Sequence, residues 1–168
     1  MSTLNVTNIK AADGTSGLTI ANSSGVVTLS GASYPQVFHS RATTSQDITS
    51  SYVDVAGCVL TGITPRSANS KFLITGNLYG NLNSATGFRI RIIRTVGGSD
   101  TTVYTQRNTY AIYQNGGGDH LQNNVTFLDT PSTASAIGYR FQVIEHNTET
   151  MTMNQGDFSS ITVQEYLG

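Results

Sequence analysis

The side chains best suited to catalysis are few in this chain, and their spacing matches no known catalytic motif. The single cysteine, Cys58, lies in an apolar stretch with no charged residue within three positions. Reactive thiols need electropositive, partly exposed surroundings, so we expect a buried, inert thiol. The sequence also lacks a G-x-S-x-G elbow, an H-E-x-x-H helix, a phosphate-binding P-loop and a G-x-G-x-x-G turn.

Three histidines are the remaining candidates for metal binding. His39, His120 and His146 are separated by 81 and 26 residues, a spacing that indicates no metal-binding motif. The pair Asp119 and His120 follows three consecutive glycines and could hold a divalent ion or a ligand, or could form a polar hairpin tip. We expect the hairpin tip, histidines at the surface or at strand ends, and no metal or cofactor.

Charged residues give little support for an enzyme. A glycosidase needs two carboxylates about 5–10 Å apart across a cleft, but the 10 acidic residues are scattered, mostly at turns. Arg89, Arg91 and Arg94 could form a phosphate-binding stripe or pair with carboxylates of neighbouring strands or subunits. Because the net charge is −1, we favour pairing, and we predict a non-enzymatic protein.

One polar, aromatic stretch, residues 101–115, is the best candidate for ligand recognition. Its tyrosines could stack on sugars or contact another protein, or they could line a sandwich wall or a subunit seam. We favour packing as the main role. If the protein does bind a ligand or receptor, the expected contact residues are Tyr110, Tyr113, Asn115, Asp119 and His120.

The composition is typical of an all-β protein. Thr, Ser and Asn make up 55 of the 168 residues, alongside 17 Gly; Thr favours strands, whereas Ser, Asn and Gly favour turns. A chain of this length can bury one core without disulfides. Only 11% of the residues are charged, which argues against nucleic acid or membrane partners. We also expect neither a signal peptide nor a membrane span.

Alternation of apolar and polar residues predicts antiparallel strands throughout. In residues 88–94, Phe88, Ile90 and Ile92 share one face, while Arg89 and Arg91 share the other. Turn clusters separate the strands at the spacing of a sandwich or barrel. Eight or nine strands after residue 35 suit a jelly roll, with strands predicted at residues 36–40, 52–60, 72–78, 88–94, 103–113, 125–128, 139–143, 151–154 and 161–164.

The first 35 residues differ from the rest. Short alternating runs around residues 4–9, 18–20 and 25–29 predict three strands, which are too few to bury a core of their own. We therefore expect residues 1–35 to be ordered by other chains or by a larger assembly, and residues 36–168 to form the head. The expected anchoring side chains are Leu4, Val6, Ile9, Leu18 and Ile20.

Both ends of the chain resemble known virion proteins. The opening residues 1–9 and 18–29 look like those of short virion structural and fibre proteins of tailed phages, especially cyanophages. Residues 127–131, 139–143 and 160–166 resemble the final strands of the jelly-roll modules in those proteins, which form trimers built like tumour-necrosis-factor and complement-type heads. The resemblance rests on strand patterns and supplies no catalytic residues.

The resemblance implies an N-terminal virion-attachment segment followed by an outward-facing, usually threefold head. Together with the residue patterns, it predicts an all-β protein: an antiparallel, jelly-roll-like sandwich preceded by a short extended β segment. We expect a homotrimer on the virion surface, made in the host cytoplasm and bound to capsid or tail proteins, serving as a short fibre or a capsid decoration protein. The alternative is a tail-fibre adhesin whose head loops bind a host glycan or receptor.

Overall fold

The structure is a computed structural model that describes residues 8–10, 16–20, 27–28, 35–84, 86–106, 111–116, 118–146 and 149–167. The chain divides into two compact units, residues 1–34 and 35–168. Each unit is described by itself. Within the described residues every regular element is a β-strand, and there is no helix of the length and hydropathy that crossing a bilayer requires.

The first unit contains a three-stranded antiparallel sheet. Its strands are β1 (Asn8–Lys10), β2 (Ser16–Ile20) and β3 (Val27–Thr28), with β2 in the middle. Ile9 pairs with Leu18, and Ile20 pairs with Val27. Three of the expected anchoring residues thus lie in strands, whereas Leu4 and Val6 fall outside the described residues. Their anchoring role stays a prediction.

The described residues of the second unit form eleven strands, all paired antiparallel. The sequence predicts most of them within a few residues of their ends, because alternating apolar residues mark their buried faces. The strands are β4 (Val37–Ala42), β5 (Gln46–Ile48), β6 (Val53–Ile63), β7 (Lys71–Leu82), β8 (Gly87–Val96), β9 (Ser99–Thr105), β10 (Ile112–Tyr113), β11 (Asp119–Asp129), β12 (Ile137–Glu145), β13 (Met151–Met153) and β14 (Ser159–Tyr166).

The first sheet of this unit contains six strands. Two pairs of these strands lie end to end, so the sheet is only four strands wide. β13 and β14 pair with the same edge of β7, one after the other, and β11 pairs with its opposite edge. β4 pairs with β14, and β5 with β13. The order across this sheet, named sheet I, is therefore β4/β5, β14/β13, β7 and β11.

Asn154 holds the two interruptions of sheet I together. It has a positive φ of 62°, a conformation that asparagine tolerates better than most residues. Its buried side-chain amide donates to Thr44 O at 3.1 Å, and its Oδ1 accepts the Ser159 N–H at 2.8 Å. The break between β13 and β14 is thus tied to the break between β4 and β5.

The second sheet also has four positions. β12 pairs with β6 on one edge and with β8 on the other, and both β9 and β10 pair with the far edge of β8. The order across this sheet, named sheet II, is β6, β12, β8 and β9/β10.

The order of the strands identifies a jelly roll. Each interrupted strand is counted once, so that the eight positions along the chain are β4/β5, β6, β7, β8, β9/β10, β11, β12 and β13/β14. In these numbers the order is 1-8-3-6 across sheet I and 2-7-4-5 across sheet II. This is the arrangement of an eight-stranded double Greek key. The prediction of an all-β, jelly-roll-like sandwich is confirmed. Its pairings are long-range: β4 joins β14 across almost the whole unit.

The core lies between the two sheets and contains the residues that alternation assigned to it. In β8, Phe88, Ile90 and Ile92 are fully buried, while Arg89 and Arg91 face the outside of sheet II. Sheet I contributes Phe72, Ile74 and Leu78 of β7 together with Ile161 and Val163 of β14. β12 of sheet II adds Tyr139, Phe141 and Val143.

Two strand predictions were wrong in extent, and one strand was missed. Residues 103–113, expected as one strand, belong to β9 and β10, which pair with successive parts of β8. β11 begins at Asp119 and not near residue 125, because β7 offers it a partner for eleven residues. β5 was missed, since its three residues carry no alternation of their own and form a strand by pairing with β13.

Candidate functional site

The head has two ends, and the chain enters it at one of them. Val37 and Leu73 both pair with Gln164, so the first residue of β4 lies at the same level as the beginning of β7. The end of β7, Leu82, is nine residues further on, a distance of about 30 Å along a strand. We call these the entry end and the far end of the head.

The candidate ligand residues lie at the far end, where two connections meet. Gly118, just before β11, donates its N–H to Leu82 O at 2.8 Å, and Gln114, just after β10, donates to Thr86 O at 2.9 Å. The connection from β7 to β8 is therefore joined to the connection from β10 to β11. The sequence suggested candidates in the second of these connections, and the structure joins it to the first.

Individual candidates occupy different positions at the far end. Tyr113 is in β10 with 48% of its surface exposed, and Asn115 is exposed in the following turn. Tyr110 lies outside the described residues, as does the side chain of Asp119. Tyr104, in contrast, packs against Phe127 with ring centroids 5.6 Å apart, in agreement with the packing role favoured for the tyrosines.

The expectation that Asp119 and His120 form a hairpin tip was wrong. Both residues begin β11 and pair with Leu82 and Asn81 of β7. The His120 ring stacks on Tyr79, with centroids 5.6 Å apart and an interplanar angle of 17°. The pairing overrides the low strand propensity of this polar stretch, because backbone hydrogen bonds to β7 need no particular side chain.

The histidines form no common site in the described part of the chain. His39 lies on β4 with its Nδ1 2.9 Å from Thr162 Oγ1, and His146 is exposed just after β12. Among the described residues, no group of three or more His, Cys, Asp and Glu side chains is placed to bind a metal ion.

Cys58 is fully buried in β6. Burial raises the pKa of its thiol to about 12, because the core solvates a thiolate poorly. The thiol therefore stays protonated and weakly nucleophilic near neutral pH, as the sequence predicted.

An ion-pair network spans the outer face of sheet II, centred on Arg140 of β12. Its guanidinium reaches Asp54 Oδ1 at 2.9 Å, Thr95 Oγ1 at 2.7 Å and both carboxylate oxygens of Asp100. The hydrogen bonds from Arg140, and then from Thr95, lower the pKa of Asp100. Because Arg140 neutralises both Asp54 and Asp100, these acids do not offer the free carboxylate pair that a glycosidase uses.

The three arginines of β8 do not form one phosphate-binding stripe. Arg94 points to the core side of β8, where its Nη1 lies 3.0 Å from both carboxylate oxygens of Asp129, which also accepts the Tyr139 hydroxyl at 2.7 Å. Arg91, on the outer face, donates to Gln142 Oε1 at 2.7 Å and lies over the Tyr52 ring. The expected pairing with a carboxylate is thus found for Arg94. Arg91 instead interacts with the side-chain amide of Gln142 and the aromatic ring of Tyr52.

Two shallow clefts are open at the entry end. One, of about 300 Å³, is lined by Gly97 and Gly98 of the β8–β9 turn and by Asp100 and Arg140, which pair with each other. The other, of about 460 Å³, has an uncharged lining that includes Val37 and Phe38. Among the lining residues that the structure describes, neither cleft contains a histidine, a cysteine or a pair of unpartnered carboxylates.

Sequence reasoning did not foresee the contributions of Tyr79 and Arg140. Alternation along β7 could have placed Tyr79 outside, opposite the core residues Leu78 and Leu82, but not beside His120. The partners of Arg140 come from β6, β8 and β9, so only the strand order reveals them.

Comparisons with known proteins yield structural similarity without a family. No family model and no curated protein matches the chain. The crystal structure of the infectious bursal disease virus VP2 subviral particle aligns with a TM-score of 0.45 and 15% identity, covering 94% of this chain and 37% of that one. The chain thus spans little more than a third of that protein.

Two bacterial structures align at lower scores. A pilus protein of Bacillus endospore appendages aligns with a TM-score of 0.33 and 11% identity, over 84% of this chain and 97% of that one. The Yersinia pseudotuberculosis-derived mitogen aligns with a TM-score of 0.30 and 12% identity, over 80% and 88%. At these scores neither family nor function follows from the likeness.

Proposed function

We propose that this protein is a non-enzymatic structural protein of a tailed-phage virion. Residues 1 to about 35 attach it to the capsid or tail, and residues 36–168 form a jelly-roll head displayed on the virion surface. Three copies form the working unit, a short fibre or a capsid decoration. The protein is made in the host cytoplasm and reaches the particle by assembly.

The observation that carries this proposal is that the chain enters the head at one end and the joined connections lie at the opposite end. The chain enters at Val37, and the joined connections around Leu82 and Gly118 lie about 30 Å away along β7. A head attached through the segment before Val37 would therefore hold these connections away from the particle. Loops on a rigid scaffold are a common place for contacts with other molecules.

The chemistry of the described residues fits a structural role better than a catalytic one. The acids that lie near arginines are engaged: Asp54 and Asp100 with Arg140, and Asp129 with Arg94. The only thiol is buried and has a raised pKa. These groups hold strands together and leave no activated nucleophile or general base among themselves.

Repetition supplies the mechanism of attachment. Three heads on one stalk, with many stalks on one particle, place each further contact at high effective concentration after the first has formed. Weak individual contacts then add up to strong binding. This mode of action needs an exposed surface and no deep pocket.

Deletion of residues 1–32 tests the attachment role. We expect the truncated protein to keep its β circular dichroism spectrum and a cooperative melt, because the buried core residues that the structure describes lie in residues 35–168, but to be absent from purified particles. The matched control is the full chain expressed from the same plasmid in the same infection. Truncated protein retained on particles would contradict the attachment role.

The two forms of the structural role differ in location. Immunogold labelling of particles by electron microscopy should show the protein on the tail if it is a fibre and over the capsid if it is a decoration protein. Absence of label from both sites would reject a virion component altogether.

A second candidate function is glycan binding at the far end. Tyr113 is 48% exposed beside the two joined connections, and exposed tyrosine rings stack well on sugars. If the head is an adhesin, Tyr113→Ala and Tyr110→Ala should abolish binding to a glycan array, whereas Tyr113→Phe, which keeps the ring, should retain most of it. No binding by the wild-type chain to a broad array would count against this function.

A further inference from the structure

The two outer faces of the sandwich differ in charge. Sheet II carries its ion pairs outside, with Asp54, Asp100 and Arg140 joined across three strands. Sheet I presents alternate residues of β14, β7 and β11 on its outside, and the middle of this face is uncharged. Its central residues on β14, β7 and β11 are Gln164, Thr162, Thr75, Asn77, Asn124 and Thr126, and the exposed His39 of β4 pairs with Thr162. The charged Arg41 and Asp47 stand at the margins, and Lys71 pairs with Tyr166 at the entry end.

The entry end of the same face is rich in apolar side chains and has one charge, Lys71, opposite Tyr166. Val37, Gln164, Leu73 and Leu128 follow one another in register across the four strands of sheet I. Val37 is 60% exposed, Leu128 51% and Tyr166, two residues beyond Gln164, 42%. Together with Leu167 they are four of the six large hydrophobic residues exposed in the described part of the chain. Apolar side chains gathered in this way mark interaction surfaces.

We propose that the outer face of sheet I, around Val37, Leu73, Leu128 and Tyr166, is the seam at which the head binds further copies of this chain. The inference rests on the proposed function, which requires an assembly of three copies, and it identifies the surface that makes the assembly.

The missing charge favours a second copy over another protein as the partner. Around a rotation axis, the residues nearest the axis face their own counterparts, so a charge there would meet a like charge and repel it. The Thr, Asn and Gln side chains in the middle of the face avoid this repulsion. Amide and hydroxyl groups can both donate and accept hydrogen bonds, so each can pair with an identical group.

The size of the face also fits an interface between copies. Eleven residues of β7 and four strands give it a length of about 36 Å and a width of about 19 Å. The resulting area of roughly 700 Å² is close to the ~800 Å² that each partner contributes to a standard protein interface. Its apolar end and polar surround resemble the core and rim of such interfaces.

The test is the oligomeric mass of the full chain. Sedimentation velocity over a range of concentrations should show the wild type as a trimer of 17.9 kDa chains. We expect the double variant Val37→Glu/Leu128→Glu to dissociate at concentrations at which the wild type is assembled. The dissociation constant should rise at least about 30-fold, because buried unpaired carboxylates are costly.

A matched control separates loss of the seam from loss of the fold. Val59→Glu places one such carboxylate at an exposed position of sheet II, where Val59 is 37% exposed, and should leave the mass unchanged. Because all three substituted side chains are exposed, both variants should keep the circular dichroism spectrum of the wild type. A second seam variant, Leu73→Gln, removes apolar area without adding charge and should weaken assembly to a smaller degree.

Three results would overturn the seam. They are a monomeric wild type, an assembled double variant, and equal loss of assembly in the Val59→Glu control. A monomeric wild type would also contradict the three-copy unit of the proposed function. The virion role itself is read separately, from virions: protein absent from particles rejects that role whatever its mass. If the double variant still assembles, the outer face of sheet I is rejected as the interface, but the proposed function is not.

Discussion

At Gly76 the backbone of β7 lies directly against the ring of Phe141 in the opposite sheet. A Cβ at this position would come within 2.4 Å of Phe141 Cζ, closer than packed atoms tolerate. We expect Gly76→Ala to lower the free energy of unfolding by about 1–3 kcal/mol, as overpacked cores do. Chemical denaturation measures the change.

The control for Gly76 is another glycine with free space around it. A Cβ at Gly116 meets nothing within 4 Å, so Gly116→Ala should change the stability by less than about 0.5 kcal/mol. Equal effects of the two substitutions would contradict the close approach of Gly76 and Phe141.

Cys58 allows a chemical measurement of unfolding. Since the thiol is buried and its pKa is raised to about 12, we expect no reaction with a thiol reagent at pH 8 in the native protein and complete reaction in denaturant. A cysteine introduced at the exposed Ser99 should react at once in the native state. Fast labelling of native Cys58 would show that the core opens without global unfolding.

Residue environments were predictable where a single strand determines them. The burial of Phe88, Ile90 and Ile92 follows from alternation, and that of Cys58 from its apolar neighbours. The constraint on Gly76 was not predictable, because it comes from Phe141, which lies 65 positions away in the sequence and reaches Gly76 only when the sheets pack.

At the level of elements, the network around Arg140 links four strands of sheet II. Asp54 is on β6, Arg140 on β12, Thr95 on β8 and Asp100 on β9. Exposed ion pairs contribute little one by one, but several charges in one network act together. Their effect should be visible as a dependence of stability on acid pH.

Asp100 sets the sign of this dependence. Its pKa in the folded protein is lower than its ordinary value of 3.8, chiefly through the hydrogen bond from Arg140. Its stabilising contribution is therefore complete above pH 3.8 and is lost as the pH falls through the lower, folded value. We expect the denaturation midpoint of the wild type to fall more between pH 5 and pH 2 (about the range of carboxylate titration) than that of Asp100→Asn.

Asp157→Asn is the matched control for Asp100→Asn, because Asp157 is also exposed but lies outside the network. This variant should retain the acid dependence of the wild type. Identical pH profiles for wild type and Asp100→Asn would show that the network does not stabilise the folded state.

Elements were predictable when their own side chains alternate, as in β8, β12 and β14. The first half of β11 and the whole of β5 were not, since both consist of short or polar stretches that become strands by pairing with β7 and β13. For the candidate ligand site, the turn residues were visible in the sequence, but the contact between Gly118 and Leu82 was not.

For the whole molecule, the last strand matters more than its position in the sequence suggests. β14 lies inside sheet I, between β4 and β7, and it contributes Ile161 and Val163 to the core. Removal of residues 159–168 should therefore abolish cooperative unfolding, while removal of residues 1–10 should leave the melt of the head unchanged. Circular dichroism and calorimetry distinguish the two. A folded chain without β14 would contradict the strand order.

The jelly roll itself could be predicted from the number of strands and their spacing, but the order of its strands could not. The order depends on pairings such as that of Val37 with Gln164, which bridge more than a hundred residues. No local pattern encodes such a pairing; it results from burying both faces of the core at once.

The separation of the two ends also makes the head a natural carrier for foreign peptides. A peptide inserted between Asn115 and Gly116 would emerge from an exposed turn about 30 Å from the entry point, with no core residue displaced. A tag fused after residue 167 would instead emerge near Val37, against the surface proposed to bind the other copies. Loop insertion is thus the better route for presenting an antigen, and a C-terminal tag the better means of blocking assembly.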